Sequence, residues 1–380
     1  MRRILFLLCL LLAFPLALPA IATAEQYYPP PLSDAVPPAT TAKAMALLDA
    51  DSGTLLAEKS ADEHLPMAST TKIMTALVVL DHLPLDRVVT VSPEAVGIEG
   101  SSVYLYAGEQ ITVETLLYAL LLSSANDAAV ALAIETAGSV ADFAALMNEK
   151  ATALELKNTH FCNPHGLHDE AHYTTARELA LLTAHALKNE HFAKIVATRK
   201  HAAPQNGTDA TRLFLNHNRL LSSYADTIGV KTGFTKAAGR CLVSAAKRDD
   251  LTLICVTLSC PDDWRDHTAL LSFGFSEYVR FTATPEAFSL PRVGGECGEV
   301  TLAPQGAVSL TLPRDHAEIK CTVLLPRFLF GGFDAGKEVG TLIYRLDGIE
   351  IGRISLITAT ACAPEEPLSI WARFKQFFQK

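Results

Sequence analysis

Three short polar segments, far apart in the chain, constrain its fold more than any hydrophobic stretch does: Ser69-Thr70-Thr71-Lys72, Ser124-Ala125-Asn126 and Lys231-Thr232-Gly233. Each falls on a different kind of element. The first opens onto Ile73 to Leu80, apolar on nearly all sides, which predicts a helix buried in the middle of a domain. The second interrupts an Ala- and Leu-rich helical pattern running from Val113 to Ala137, with the break at Ser123 to Asp127. The third lies on the first of three consecutive strand signals: Ile228 to Thr235, Gly239 to Ala246 and Leu251 to Leu258. Turns at Lys236-Ala237-Ala238 and Arg248-Asp249-Asp250 separate those strands.

The remaining pattern completes the frame. Ala44 to Ala50 reads as a strand, Asp51-Ser52-Gly53 as a turn, and Thr54 to Glu58 as the return. A helix is expected from about Thr175 to Asn189, and another from Trp264 to Phe275 covering the strands. A strand, a long helical section, consecutive antiparallel strands and a closing helix predict an α+β layer, one antiparallel sheet with helices on its faces. Near Phe281 the character changes to short strands punctuated by Gly294-Gly295, Gly331-Gly332 and Asp347-Gly348. Residues 281–365 are therefore expected to form a small all-β domain after a catalytic domain at 41–280.

The ends of the chain read differently. Arg2 and Arg3, an apolar run from Ile4 to Ala20 and the Ala22-Thr23-Ala24 site predict a cleaved secretory signal over residues 1–24. A proline-rich linker is expected over 25–40. In residues 366–380, Ile370, Trp371, Phe374, Phe377 and Phe378 share one helical face, and Arg373, Lys375, Gln376, Gln379 and Lys380 share the other. That pattern predicts a basic amphipathic helix lying in an anionic membrane surface, with the protein outside the cytoplasm. A net charge of −9 argues against a nucleic-acid partner, which rewards clustered Lys and Arg. The seven cysteines beyond the signal, an odd number without C-x-x-C spacing, are read as buried free thiols. Cys241 and Cys255 are expected to face each other across a hairpin centred near Arg248.

The three segments together carry a chemistry. A serine hydroxyl needs a base to become a nucleophile. Ser69 and Lys72, three apart, share a helix face, and Ser69 is expected in the first turn of the helix. Lys72 enters the apolar run, where desolvation lowers its pKa towards a useful base. Ser124 and Asn126, in the helix break, can relay a proton and hold a substrate amide. Gly233, lacking a side chain, lets a peptide add to the strand edge, and Lys231 and Thr232 offer charge and a donor to a terminal carboxylate. Isolated, each segment is also an ordinary cap or a strand-end lysine. His165, His168 and His172 with Asp169 and Glu170 read as a groove-shaping loop rather than a metal cluster, so neither metal nor cofactor is expected.

The chain resembles the D-alanyl-D-alanine carboxypeptidases of the low-molecular-weight penicillin-binding protein family, from about Ala44 to the C-terminus. The flanking residues match as well as the motifs: Pro66-Met67-Ala68, Leu121-Leu122-Ser123, Asn163-Pro164-His165-Gly166-Leu167, and Phe234-Thr235 with Gly239. The resemblance implies a penicilloyl-serine transferase (β-lactamase-like) fold with a β-rich C-terminal domain and often a membrane-anchoring helix. It implies Ser69 as the acylated nucleophile, Lys72 as its base, Ser124 and Asn126 along the groove, and Lys231 and Thr232 on the carboxylate. The backbone N–H groups of Ser69 and Phe234 would form the oxyanion hole. Implied partners are the peptidoglycan stem peptide and β-lactam antibiotics as inhibitors. Phe234 stands where many members have histidine or tyrosine, and His217 where some have arginine. The alternatives are a penicilloyl-serine sensor that acylates without turnover, and a class A-like β-lactamase. The latter is disfavoured because the chain lacks an E-x-x-L-N segment.

Overall fold

β1 (Ala44–Asp49) is buried along its whole length, as expected of a strand covered on both faces. The computed structural model describes residues 33–205, 210–294 and 298–363. The signal segment, the first half of the proline-rich linker, Cys297 and the amphipathic segment at 366–380 lie outside the described residues. β1 turns through residues 51–53 into β2 (Leu55–Lys59). α1 (Lys72–His82) follows, and its buried residues run from Lys72 through Val79.

A short hairpin, β3 (Val88–Thr90) with β4 (Gln110–Thr112), leads into α2 (Val113–Leu122). Ser123 to Ala125 break the helix, and α3 (Asn126–Ala137) continues after it. α4 (Val140–Ala153), capped by Ser139, was not anticipated from the sequence. The expected helix at 175–189 is α5 (Ala176–Ala186), and Asn189 caps a separate α6 (Glu190–Ala197). β5 (Lys200–Pro204) and β6 (Thr211–Leu215) form a second hairpin, and α7 (Leu220–Ser223) is a single turn.

β7 (Thr227–Thr235), β8 (Gly239–Arg248) and β9 (Leu251–Leu258) then join the first two strands in an antiparallel sheet of order β2-β1-β9-β8-β7. β7 is an edge strand, so its outer side is free to pair. One face of the sheet packs on α1 to α6, and α8 (Asp263–Glu277) covers the other through Leu270, Leu271 and Phe275 against Leu47, Leu253 and Cys255. This is the α+β layer expected.

The hairpin register differs from expectation. Arg248 pairs with Leu251, so the turn is Asp249-Asp250 and Cys255 opposes Ser244. Cys241 opposes Gly233 on β7 instead. A two-residue loop moves the centre of symmetry by one and a half positions, which also puts the two thiols on opposite faces of the sheet. The six described cysteines are free. Cys241, Cys255, Cys260 and Cys362 are buried as expected, but Cys321 is exposed.

Beyond α8 the described residues are all-β. β10 (Tyr278–Thr282) pairs with β13 (Ser309–Pro313). β11 (Phe288–Val293), β12 (Glu299–Gln305), β14 (Lys320–Leu324), β15 (Leu329–Phe330), β16 (Glu338–Leu346) and β17 (Ile349–Thr358) make a sheet of order β14-β16-β17-β12-β11-β15. The buried Asp49 ties the two regions, accepting hydrogen bonds from Arg280 at 2.6 Å and Thr311 at 2.7 Å.

Candidate active site

Ser69 does not sit in the first turn of α1. It lies on a 3₁₀ turn, Ala68–Thr71, that precedes the helix. Residues three apart eclipse in that geometry, so Ser69 and Lys72 still share a side. Lys72, fully buried, has three neighbours: Ser69 Oγ at 3.0 Å, Asn126 Oδ1 at 2.7 Å and the His165 carbonyl oxygen at 2.7 Å. Asn126 is held in that orientation because its Nδ2 donates to the Glu99 carbonyl at 2.5 Å.

Burial first, and then the Lys231 charge, push the Lys72 pKa well below its ordinary value, against a smaller opposing pull from Asp127. A neutral amine has two N–H groups and one lone pair. Two of its three neighbours can only accept, so they take both N–H groups. The lone pair is left facing Ser69 Oγ, the one neighbour with a proton to give.

Ser124 occupies the helix break at φ +60°, a left-handed conformation uncommon for a residue with a side chain. Its Oγ accepts from Lys231 Nζ at 3.0 Å. Lys231 also donates to the Thr232 carbonyl at 2.8 Å, and burial brings its pKa down to about 7. Asp127, the next residue after Asn126, holds the facing loop through Ser102 Oγ at 2.6 Å and the Leu105 N–H at 3.0 Å.

Gly233 lies against the Ser69 turn, and a Cβ there would come 3.1 Å from Ser69 N. The absence of a side chain is thus what lets β7 approach the serine. A β-bulge between Thr227 and Gly229, where Gly229 and Val230 both have φ near +100°, precedes this stretch of the strand.

A cleft of about 580 Å³ joins these parts, with Ser69, Ser124, Thr232, Gly233 and Phe234 on its walls. Lys72, Lys231 and Asn126 are buried behind that lining. Phe234 is 66% exposed. His217 also lines the cleft, and desolvation, followed by the Lys231 charge, lowers its pKa. Arg219 and Trp264 extend the wall beyond the residues the sequence pointed to.

The structure therefore brings together every residue singled out from the three motifs. It adds the His165 carbonyl, the Glu99 carbonyl and Asp127. The first two act through backbone atoms, which leave no trace in residue identity. Among the described residues, no group of three or more His, Cys, Asp or Glu side chains is placed to hold a metal ion. The pKa of His165 is lowered to about 3, by burial first and then by Lys72.

A family model for D-alanyl-D-alanine carboxypeptidase, Peptidase S11, matches residues 32–262. The carboxypeptidase DacF of Bacillus subtilis is 33% identical over 320 residues, covering 81% of this chain and 82% of that protein. DacC of Escherichia coli is 37% identical over 347 residues, covering 84% of each. Penicillin binding protein 5 from Haemophilus influenzae superposes with a TM-score of 0.72 at 28% identity, over 87% of this chain and 99% of that one. The chain belongs to the D-alanyl-D-alanine carboxypeptidase family of serine peptidases.

Proposed function

We propose that this carboxypeptidase removes the terminal D-Ala from peptidoglycan stem pentapeptides through an acyl-enzyme on Ser69, and that β-lactams inhibit it by acylating the same hydroxyl. The observation that carries the reading is the Lys72 environment. Two acceptors consume its N–H groups and leave its lone pair on Ser69 Oγ. Lys72 takes the serine proton as Oγ attacks the penultimate D-Ala carbonyl. The N–H groups of Ser69 and Phe234 receive the developing oxyanion. The proton leaves with the amine of the terminal D-Ala, and water later cleaves the ester. Lys231 and Thr232 take the terminal carboxylate, the Lys231 charge being available below a pH of about 7. Asn126 and Ser124 line the peptide's path, and Gly233 leaves room for it beside β7.

The sensor and β-lactamase alternatives are not favoured. Against the β-lactamase, Asp263 is the one carboxylate among the described cleft-lining residues, and it is bound by Arg240 at 2.7 Å; against the sensor, the matching family model and relatives are those of carboxypeptidases. The change from helical layer to short strands supports a domain boundary near residue 281. The signal at 1–24 and the amphipathic segment at 366–380 support an extracytoplasmic enzyme held on an anionic membrane surface.

The test is incubation with a pentapeptide ending in D-Ala-D-Ala, assayed for free D-Ala, followed by peptide mapping of the penicillin adduct. Release blocked by penicillin, with the adduct on Ser69, is the expected result. An adduct on another serine overturns the assignment.

A further inference from the structure

His172 is buried in the loop after α4, and no step above uses it. The Cys162 backbone N–H donates to its Nδ1 at 3.0 Å, so Nδ1 carries the lone pair and the ring proton is assigned to Nε2. Nε2 lies 2.7 Å from Thr71 Oγ1. That hydroxyl has one proton, and its other partner, the Ala68 carbonyl at 2.8 Å, can only accept. The direction of the relay follows: His172 Nε2–H donates to Thr71 Oγ1, and Thr71 O–H donates to Ala68 O.

The Ala68 carbonyl and the Ser69 N–H belong to one rigid peptide plane and point in opposite directions. Holding the oxygen therefore aims the N–H. The plane needs holding, because Ala68 sits at φ +49°, where a residue with a Cβ is not at ease. Gly166 presses on the same oxygen, and a Cβ there would come within 1.9 Å of it. On the far side, Gly233 abuts Ser69 N. The relay and the two glycines enclose the turn from both sides.

We propose that His172 is a positioning residue of the oxyanion hole, fixing the direction of the Ser69 N–H through Thr71 and the Ala68 carbonyl. This rests on the reading of Ser69 N–H as an oxyanion donor. Burial keeps the imidazole neutral, its pKa lowered to about 4, with Asp169 opposing and His160, His168 and Lys72 adding to the effect. The relay is therefore intact at neutral pH.

The experiment uses the full chain and benzylpenicillin, with the acylation rate constant separated from the non-covalent Kd by the concentration dependence of labelling. Thr71→Val keeps the side chain's shape and removes the relay. It should slow acylation about 10- to 100-fold, part of the cost of losing an oxyanion donor outright, and leave Kd within about twofold. Thr71→Ser keeps the hydroxyl and should restore the rate. His172→Gln should slow acylation similarly, and the double variant Thr71→Val with His172→Gln should be no slower than the worse single one, because both break one relay. A boronic acid, whose tetrahedral adduct places an oxygen in the hole, should lose affinity in parallel with the rate. Thr71→Val acylating at the wild-type rate overturns the proposal, as do losses that multiply in the double variant or a fall in melting temperature with the rate unchanged. An adduct mapping away from Ser69 in the wild type overturns the nucleophile assignment itself, a result distinct from a fast Thr71→Val enzyme carrying its adduct on Ser69.

Discussion

The catalytic layer and the β-rich region treat polar side chains in opposite ways. Around the cleft the protein buries Lys72, Lys231, Ser124, Asn126, Asp127, Thr70 and Thr71, and each is given hydrogen-bond partners. In the β-rich region, β14 is exposed along its length, and the buried polar residues Arg292, Thr311 and Thr358 tie loops or strands to one another. Taking a lysine out of water costs several kcal/mol for the charged form, and the pKa of Lys72 falls in response. That cost is what suits Lys72 to the role of base proposed for it. The buried cation of the β-rich region, Arg292, is bound by the Gly331 and Ala363 carbonyl oxygens and ties the chain together there.

Substitutions can break this contrast, and the largest effect is expected at Lys72. Lys72→Ala should lower Ser69 acylation by about 10³-fold or more, since it removes the general base, as read by labelling with a fluorescent penicillin. A wild-type rate would assign the base to another group. Lys231→Ala comes next. It should lower kcat/KM by about 10²-fold, mainly through KM, in steady-state assays with the pentapeptide, because a carboxylate clamp acts on binding.

Gly233→Ala should cost about tenfold in kcat, because its Cβ meets Ser69 N at 3.1 Å and displaces the serine by a few tenths of an ångström. The pH profile sharpens the role of His217. Lys231 loses its proton above a pH of about 7, so capture of the substrate carboxylate should weaken as pH rises. His217, with its pKa already lowered, is neutral there and supplies no charge. His217→Arg adds a permanent cation and should lower KM several-fold at alkaline pH, about the value of one charge-assisted hydrogen bond, with little effect at acidic pH. Equal effects at both ends would place the side chain away from the carboxylate.

The smallest effect on turnover is expected from the far end of the chain. Truncation after Pro367 should leave activity on a soluble peptide unchanged and release the protein from anionic vesicles. Each large apolar residue of the segment is worth about 1.5–3 kcal/mol if fully buried, before ordering costs, and each basic residue about 1 kcal/mol near the surface. A truncated protein that still sediments with vesicles would place the anchor elsewhere.

Much of the site was legible because its parts are local. Ser69 and Lys72 share a turn, Ser124 and Asn126 mark a break in a helical pattern, and Lys231 to Gly233 open a strand, so residue type and spacing were enough to pick them out. Their partners across the chain were not legible. The His165 carbonyl reaches Lys72 from 93 residues away, and its contribution does not depend on its side chain. The two-residue turn after Arg248 is not legible in the sequence, because Arg248-Asp249-Asp250 is polar throughout and does not show where pairing stops. A shift of one and a half positions is enough to put Cys241 and Cys255 on opposite faces of the sheet. α4 lies between two stronger signals that obscure it, although Ser139 and Asp142 form its cap.

The sequence by itself determined the layer architecture and singled out the residues of the cleft, Ser69 and Lys72 among them, because hydrophobic period and short polar motifs act over a few residues. Only the tertiary structure decided the protonation state and aim of those groups. The burial that lowers the Lys72 pKa, the acceptors that turn its lone pair towards Ser69, and the relay from His172 to the Ala68 carbonyl all depend on atoms far apart in the chain. Folding brings them within hydrogen-bond distance in a medium from which water is excluded, where each contact is strong enough to matter.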